Sequence, residues 1–109
     1  MSTGPEGYPA AVLIRAARPL DGVETARERR PGRPDHELMR GPGNLARALA
    51  IDRTQNRGMV DGPPLWFAAG REIPDAEVAT GPRIGITRAA DAPLRFWVRG
   101  SRYVSGKRA

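Results

Sequence analysis

Twelve carboxylates are the side chains in this sequence that could support acid–base chemistry, and they are scattered along the chain. Most stand beside Arg, Pro or Gly in polar segments, and Asp and Glu are ordinarily solvated surface groups. A general base needs a carboxylate held in a partly desolvated pocket, and no local pattern marks one. The single histidine, His36, suits a surface helix position, and the serines have no nucleophile-elbow motif. The residues alone therefore identify no catalytic centre.

Segments that combine arginine with glycine or aromatic residues are better candidates, and the chemistry they suggest is anion binding. RGPGNLARAL (40–49) places small residues at a helix start, where free N–H groups and the helix dipole favour an anion. Arg40, Arg47 and Arg53 lie near that start in the sequence. The plainer alternative is that these small residues only mark where the helix begins. The segment alone favours that alternative.

Two later segments allow similar pairs of interpretations. GPRIGI (81–86) can bring main-chain N–H groups and Arg83 to a phosphate, or it can be a plain core strand. RFWVRGSRY (95–103) interleaves Arg with Trp97 and Tyr103, a pattern that suits stacking on nucleic acid. It also suits a half-exposed edge strand. Both alternatives stay open for each segment.

The overall charge agrees with an acidic partner without proving one. The formal net charge is +6, and 17 of the 18 cations are Arg, with Lys107 the only Lys. Guanidinium groups grip phosphate oxygens in a fork geometry, which favours nucleic acid as the partner. A GC-rich genome, which favours Arg, Ala, Gly and Pro codons, accounts for the same composition equally well.

Several classes of protein are excluded or disfavoured. The absence of cysteine excludes disulfides and thiolate metal sites, and one histidine leaves little for a zinc site. No run approaches the roughly 18 apolar residues of a membrane span. The first residues lack a basic segment followed by an apolar core, so we expect no secretory signal and a cytoplasmic location.

The elements that must position these residues follow from periodicity and turn chemistry. The chain length predicts one small, loop-rich domain over residues 1–109. Residues 71–82 read as a loop. The remaining predictions are a buried strand at 10–14, a helix at 23–30 starting near Asp21 or Gly22, a helix at 36–40 capped by Asp35, a helix from Asn44, and strands at 65–68, 83–87 and 95–100. In the last strand, Phe96 and Val98 share one face.

Four segments, taken in order, resemble the C-terminal half of the DNA-3-methyladenine glycosylases of the alkyladenine glycosylase type. They are AVLIRAARPLDG (11–22), ELMRGPGNLARALAID (37–52), GPRIGI (81–86) and LRFWVRGSRYVS (94–105). The resemblance covers nearly the whole chain. It implies a partial α+β domain with a mainly antiparallel curved sheet and short helices.

The resemblance also implies an activity and a partner. Members of the family remove alkylated purines such as 3-methyladenine from double-stranded DNA, the first step of base-excision repair. They flip the damaged nucleotide out of the duplex while an aromatic side chain fills the gap. A glutamate activates the water that hydrolyses the N-glycosidic bond. No metal or organic cofactor and no membrane is implied, and we expect a monomer that associates with the bacterial nucleoid during repair.

The family's DNA-binding residues carry over only where positions match. Arg15 matches an arginine that reaches the DNA beside the flipped nucleotide. Arg53 matches a basic residue after the GPG helix that contacts phosphate. Arg83, Ile84 and Gly85 match a segment that contacts backbone phosphates, partly through main-chain N–H groups. Asn44 stands where a relative can carry Lys, so no charge contact is expected there.

The family's catalytic residues do not carry over. The glutamate belongs to an ETEAY-like motif and the wedge tyrosine to a YGMY-like motif, both upstream of the matched segments. Neither motif occurs in this chain, and Glu6, Glu24 and Tyr8 do not stand in for them. We therefore expect no catalytic residue here and no activity from this chain alone.

Three hypotheses follow for the chain as a whole. The first is a glycosylase sequence truncated at its N-terminus, the second a non-catalytic DNA-binding remnant, and the third an unrelated small basic domain that binds RNA or protein. Under the first, Met1 falls where the family usually has Val, so a GTG valine codon has been read as a start. The opening turn, STGPEGYP (2–9), is then half of a hairpin.

Overall fold

The chain divides into two compact units in a computed structural model that describes residues 2–3, 10–55, 61–62, 65–84 and 92–106. The first unit consists of Met1–Asp52 with Tyr103–Ser105, and the second of Arg53–Arg102 with Gly106–Ala109. Two α-helices and short antiparallel strand pairs make up the regular structure of the described residues. The predicted α+β class is confirmed.

A short hairpin opens the first unit. Strand β1 (Ser2–Thr3) pairs antiparallel with β2 (Ala10–Ala11), so the chain does supply a short partner strand before the opening turn. The turn itself, at 4–9, lies outside the described residues. The prediction of a buried strand over 10–14 is wrong, because the strand ends at Ala11 and the side chains of residues 11–14 are exposed.

Helix α1 (Val23–Arg29) begins where the sequence predicts. Gly22 is its N-cap residue with φ of 69°, a left-handed conformation that glycine adopts without strain. The helix buries Ala26 on one face, and Arg27 and Arg29 stand in its last turn, where cations are favoured by the helix dipole. Ala26 thereby reaches the core of the first unit.

Helix α2 (Pro42–Leu49) begins two residues earlier than the predicted start at Asn44. Proline is well suited to the first helical position because its missing N–H needs no partner there. The helix buries Leu45 and Ala48 against α1. The core of this unit is a cluster of five buried residues: Ala26, Leu38, Met39, Leu45 and Ala48.

The segment between the two helices differs from its prediction. Residues 35–37 form one 3-10 turn rather than a helix over 36–40, and the N-cap residue of that turn is Pro34 rather than Asp35. Its carboxylate instead accepts hydrogen bonds from Arg27 Nε at 2.8 Å and Nη2 at 2.6 Å. Asp35 therefore makes a two-point contact with Arg27 of α1 in place of the predicted capping role.

The Arg27–Asp35 pair makes the stability of the first unit sensitive to acid. The hydrogen bond from Arg27 lowers the pKa of Asp35 below its ordinary value of 3.8. A lowered folded-state pKa means that the stabilisation is fully present above the unfolded pKa and is lost as pH falls through the folded value. Asp35→Asn should therefore flatten the acid limb of a curve of unfolding midpoint against pH. The matched control Asp21→Asn, another exposed carboxylate of this unit, should leave that limb unchanged, and identical acid limbs in the two variants would contradict the assignment.

The C-terminus of α2 carries a strained residue. Ala50 has φ of 55°, and its N–H donates to the carbonyls of Ala46 and Arg47. An L-residue with a side chain pays roughly 1–2 kcal/mol for this conformation. Ala50→Gly should raise the free energy of unfolding by about 1 kcal/mol in urea titrations. Ala46→Gly, inside the same helix, should lower it by about 0.5–1 kcal/mol; a loss in both variants would mean that Ala50 is not strained.

The second unit is built around β5 (Val78–Gly81) and β6 (Arg95–Val98), which pair antiparallel with Ala79 opposite Trp97. The loop prediction for residues 71–82 is therefore wrong at its end, where a 3-10 turn (Asp75–Glu77) leads into β5. A second, two-residue pair joins β3 (Asp61–Gly62) to β4 (Leu65–Trp66). The predicted strand at 83–87 is wrong at Arg83 and Ile84, which lie outside any strand, and the rest of it lies outside the described residues.

Candidate nucleic-acid interface

The backbone that follows Arg15 is held in place, and the Arg15 side chain has an unused donor. Ala16 forms an isolated bridge with Arg40, and the Ala17 N–H donates to the Met39 carbonyl at 3.2 Å. Arg15 itself is partly buried, and its Nε has no hydrogen-bond partner among the described residues. A buried donor without a partner costs free energy, so Arg15, unlike the structural arginines of this unit, has a donor that the described fold does not use.

Other arginines of the first unit are committed to holding the fold. Arg27 pairs with Asp35, and Arg29 Nη1 donates to the Ala48 carbonyl at 2.9 Å. Arg30 is buried and donates to the carbonyls of Glu37 and Leu38. The positive charge of the sequence is therefore partly structural, which composition alone cannot reveal.

The start of α2 is held by its own neighbours. Arg40 Nη2 contacts Glu37 Oε1 at 2.9 Å, and Asn44 Nδ2 donates to the Arg40 carbonyl at 2.9 Å. These contacts agree with the plainer alternative, in which the small residues only mark where the helix begins. Arg47 lies in the last turn of the helix and is exposed.

The remaining carried-over positions belong to the second unit. Arg53 is exposed and opens a 3-10 turn (Arg53–Gln55). Arg83 is partly buried and Ile84 is exposed, while Gly85 lies outside the described residues. A Cβ at Gly106 would lie 3.1 Å from Ile84 Cδ1, so the backbone at Gly106 passes close to Ile84. The five positions thus divide between the units, with Arg15 alone in the first.

The aromatic and arginine residues of β6 have a structural role that the sequence did not predict. Phe96 and Val98 do share one face, and that face is exposed, while Arg95 and Trp97 are buried. The Arg95 guanidinium lies 4.3 Å from the centroid of the Trp97 ring. A Cβ at Gly81 would lie 3.1 Å from the same ring. The suggestion that Trp97 stacks on a nucleic-acid base is therefore wrong.

The described carboxylates do not form a catalytic centre. Every one whose side chain is described is exposed except Glu37, which is paired with Arg40. Asp35, held by Arg27, has a lowered pKa, the opposite of what a proton acceptor at neutral pH needs. Within the described residues no group of His, Asp or Glu could hold a metal ion, and every helix is too short to cross a bilayer.

Comparison with known proteins identifies the family to which these arginine-rich segments belong. Residues 1–102 match the model of the family described as "Methylpurine-DNA glycosylase (MPG)". The chain belongs to the methylpurine-DNA glycosylase family. It is a family of DNA repair hydrolases that act on DNA, and the sequence resemblance is confirmed.

Relatives in this family show how much of a member the chain represents. A protein of Rhodopseudomonas palustris (strain HaA2) is 51% identical over 100 residues, which are 92% of this chain and 49% of that protein. One of Bacillus subtilis (strain 168) is 45% identical over 92% of this chain and 52% of its own length. One of Nocardia farcinica is 40% identical over 99% and 52%. Each is named "Putative 3-methyladenine DNA glycosylase". The chain thus spans about half the length of the curated relatives it matches.

Proposed function

We propose that this chain is a DNA-binding portion of a glycosylase that excises alkylated purines such as 3-methyladenine from duplex DNA. The observation that carries the proposal is the family match over residues 1–102. The names of the relatives supply the lesion, and the flipped-base mechanism follows from the chemistry, since an enzyme cannot reach the glycosidic bond of a stacked base. The third hypothesis, an unrelated basic domain, is wrong because the family is established.

The proposal assigns binding to this chain and catalysis to residues outside it. Hydrolysis needs a carboxylate that is shielded from water and has room to activate one water molecule. The described carboxylates are exposed or, like Glu37, paired with arginine. The chain covers about half of each relative, which leaves a comparable length of the relatives in which the general base and wedge would lie. The chain alone is then inactive.

Arg15 is the residue on which the binding role depends most. Arg15 is only partly buried and its Nε has no partner among the described residues, so reorienting this guanidinium toward a phosphate would break no hydrogen bond of Nε among them. Arg15→Ala should weaken binding of a fluorescein-labelled duplex, measured by anisotropy, by about fivefold or more at roughly 0.1 M salt. Arg18→Ala, an exposed arginine three positions along, should change the Kd by less than about twofold. Equal losses in the two variants would refute a specific role for Arg15.

Two versions of the proposal remain, and the gene distinguishes them. If codons upstream of Met1 read in frame through YGMY-like and ETEAY-like motifs, the truncated-glycosylase version is supported, and a GTG codon at position 1 would support the hypothesis of an internal valine. A stop codon between those motifs and Met1 would leave the non-catalytic DNA-binding remnant. In both versions we infer a monomeric protein of the bacterial cytoplasm that meets double-stranded DNA at the nucleoid.

A further inference from the structure

Two buried side chains of β6 pack against the backbone of β5 in the second unit. Ala79 pairs with Trp97 and Gly81 with Arg95, and both Trp97 and Arg95 are buried. A Cβ at Gly81 would lie 3.1 Å from Cη2 of the Trp97 ring. The Arg95 guanidinium lies 4.3 Å from the centroid of the same ring. The Gly81 backbone, the indole ring and the guanidinium are therefore in contact in that order.

Gly106 continues this series of contacts beyond β6. A Cβ at Gly106 would lie 3.5 Å from Arg95 Nη2 and 3.1 Å from Ile84 Cδ1. The shorter separation is tighter than ordinary van der Waals contact, so a residue with a side chain would displace Ile84. Gly106 also has φ of 71°, which glycine adopts without strain. Together, Gly81, Trp97, Arg95 and Gly106 form one series of contacting residues, called the stack below.

The stack holds a short segment of the chain at both of its ends. Gly81 lies against the Trp97 ring, and Ile84, three residues later, lies against Gly106. The indole is rigid and only 8% exposed, so it cannot move aside without disturbing the buried packing. Arg83 lies between the two held ends. The backbone position of residues 83–84 is therefore set by residues that come much later in the sequence.

The held segment presents donors that suit an anion. Ile84 lies outside any strand and is exposed, and among the described residues its main-chain N–H donates to no carbonyl. Arg83 comes immediately before it. An arginine followed by an exposed main-chain N–H supplies two donors of the kind that phosphate oxygens accept.

We propose that Gly106, Arg95 and Trp97 are positioning residues for DNA binding, which they support by holding the backbone of residues 83–84 where it meets a duplex phosphate. This inference rests on the proposed function, which makes duplex DNA the partner. Hydrogen bonds are strong only at donor–acceptor distances of about 2.7–3.2 Å. A support that fixes the backbone therefore changes affinity through the geometry of the contact.

The competing explanation is that the stack serves only the stability of the second unit. Buried aromatic and cation–π contacts stabilise folds whether or not a ligand lies nearby. That explanation predicts that weakening the stack lowers the melting temperature and leaves the salt dependence of DNA binding unchanged. Positioning predicts in addition the loss of a phosphate contact, which reduces the slope of log K against log salt by about 0.9.

Gly106→Ala and its matched control Gly100→Ala separate the two explanations. The two glycines have left-handed φ values of 71° and 73°, so each alanine brings the same backbone strain. A Cβ at Gly100, however, meets nothing within 4 Å. Each 109-residue chain is titrated with a fluorescein-labelled DNA duplex between about 50 and 200 mM salt. Gly106→Ala should weaken binding about fivefold at roughly 0.1 M salt and reduce the slope by about 0.9, and Gly100→Ala should change the slope by less than about 0.3.

A second pair of variants tests the other end of the segment, and it decides the question if Gly106→Ala fails to fold. Gly81→Ala pushes against the Trp97 ring, whereas a Cβ at Gly70 meets nothing within 4 Å, and neither glycine has a left-handed φ. Gly81→Ala should lose slope as Gly106→Ala does, while Gly70→Ala should match the unsubstituted chain. Adding Trp97→Phe to Gly81→Ala removes the outer part of the indole and should restore at least half of the lost slope.

The outcomes distinguish this inference from the proposed function. Equal slopes for Gly106→Ala and Gly100→Ala, or lower melting temperatures without a change in slope, would refute the positioning role while DNA binding stands. If the unsubstituted chain fails to bind duplex, the proposed function of this chain fails and the positioning role fails with it.

Discussion

The chain of 109 residues, incubated with alkylated DNA, is expected to release no 3-methyladenine above the rate seen in buffer. General acid–base catalysis alone contributes about 10²–10⁴ in rate, and it requires a carboxylate held near the glycosidic bond. The reaction also requires that the damaged base is flipped out of the duplex and that a side chain fills the gap it leaves. The described part of the chain supplies no shielded carboxylate for the first task.

The measurement is chromatographic detection of free base in a time course with excess protein. Heat depurination of the same DNA defines the full signal, and the complete Bacillus subtilis relative, 45% identical over the shared region, is the matched enzyme. We expect release by the relative and none by the chain. Release by the chain that scales with its concentration would show that a catalytic group lies within it. The proposal that the catalytic residues lie outside this chain would then be refuted.

The second large effect is expected at Leu38, the largest fully buried side chain among the residues that the structure describes. It has 0% exposure and packs within the five-residue core of the first unit. Leu38→Ala removes buried methyl groups and leaves a cavity, which together cost about 2–5 kcal/mol. Small domains have little stability to lose, about 5 kcal/mol at the low end of the usual range. The variant should therefore lose most of the cooperative unfolding transition of this unit.

Urea titration followed by far-UV circular dichroism tests this expectation, because both α-helices found in the described residues lie in the first unit. Leu20→Ala is the matched control, since Leu20 is 72% exposed and its truncation should change stability by less than about 0.5 kcal/mol. Similar midpoints for the two variants would mean that Leu38 does not anchor the core. In that event the helix pair and the arginines it positions would need another source of stability.

The helices of this chain were predictable from sequence because their signals are local. Gly22 and the Gly41–Pro42 pair mark helix starts through their own backbone preferences, and Leu45 falls on the buried face that periodicity predicts. By contrast, β5 reads as loop because VATG (78–81) is weakly apolar. It becomes a strand through pairing with β6, a contact between residues distant in sequence. Such pairing leaves no local signal.

Burial was the least predictable property. The run from Val12 to Ile14 is apolar enough to suggest a core strand, yet it is exposed in the first unit. Alternation in β6 predicts which residues share a face, but the choice of face depends on packing between Trp97 and Gly81. An aromatic residue amid arginines suggests nucleic acid, and here the same pattern serves a buried cation–π contact.

The candidate interface was also only partly predictable from the sequence. The five carried-over positions came from family resemblance, and no local pattern would have selected Arg15 from the other arginines. The sequence also could not show that Arg27, Arg29 and Arg30 are committed to the fold, because their partners lie between seven and nineteen residues away. Only the three-dimensional contacts identify which of the described arginines are structural.

The central claim, that this chain binds duplex DNA through arginine–phosphate contacts, is tested most directly by the salt dependence of binding. Anisotropy titrations of the unsubstituted chain with a labelled duplex give log K at a series of salt concentrations. At least three phosphate contacts predict a linear decrease with a slope steeper than about −2.7. A slope near zero, or absence of duplex binding at low salt, would contradict the account.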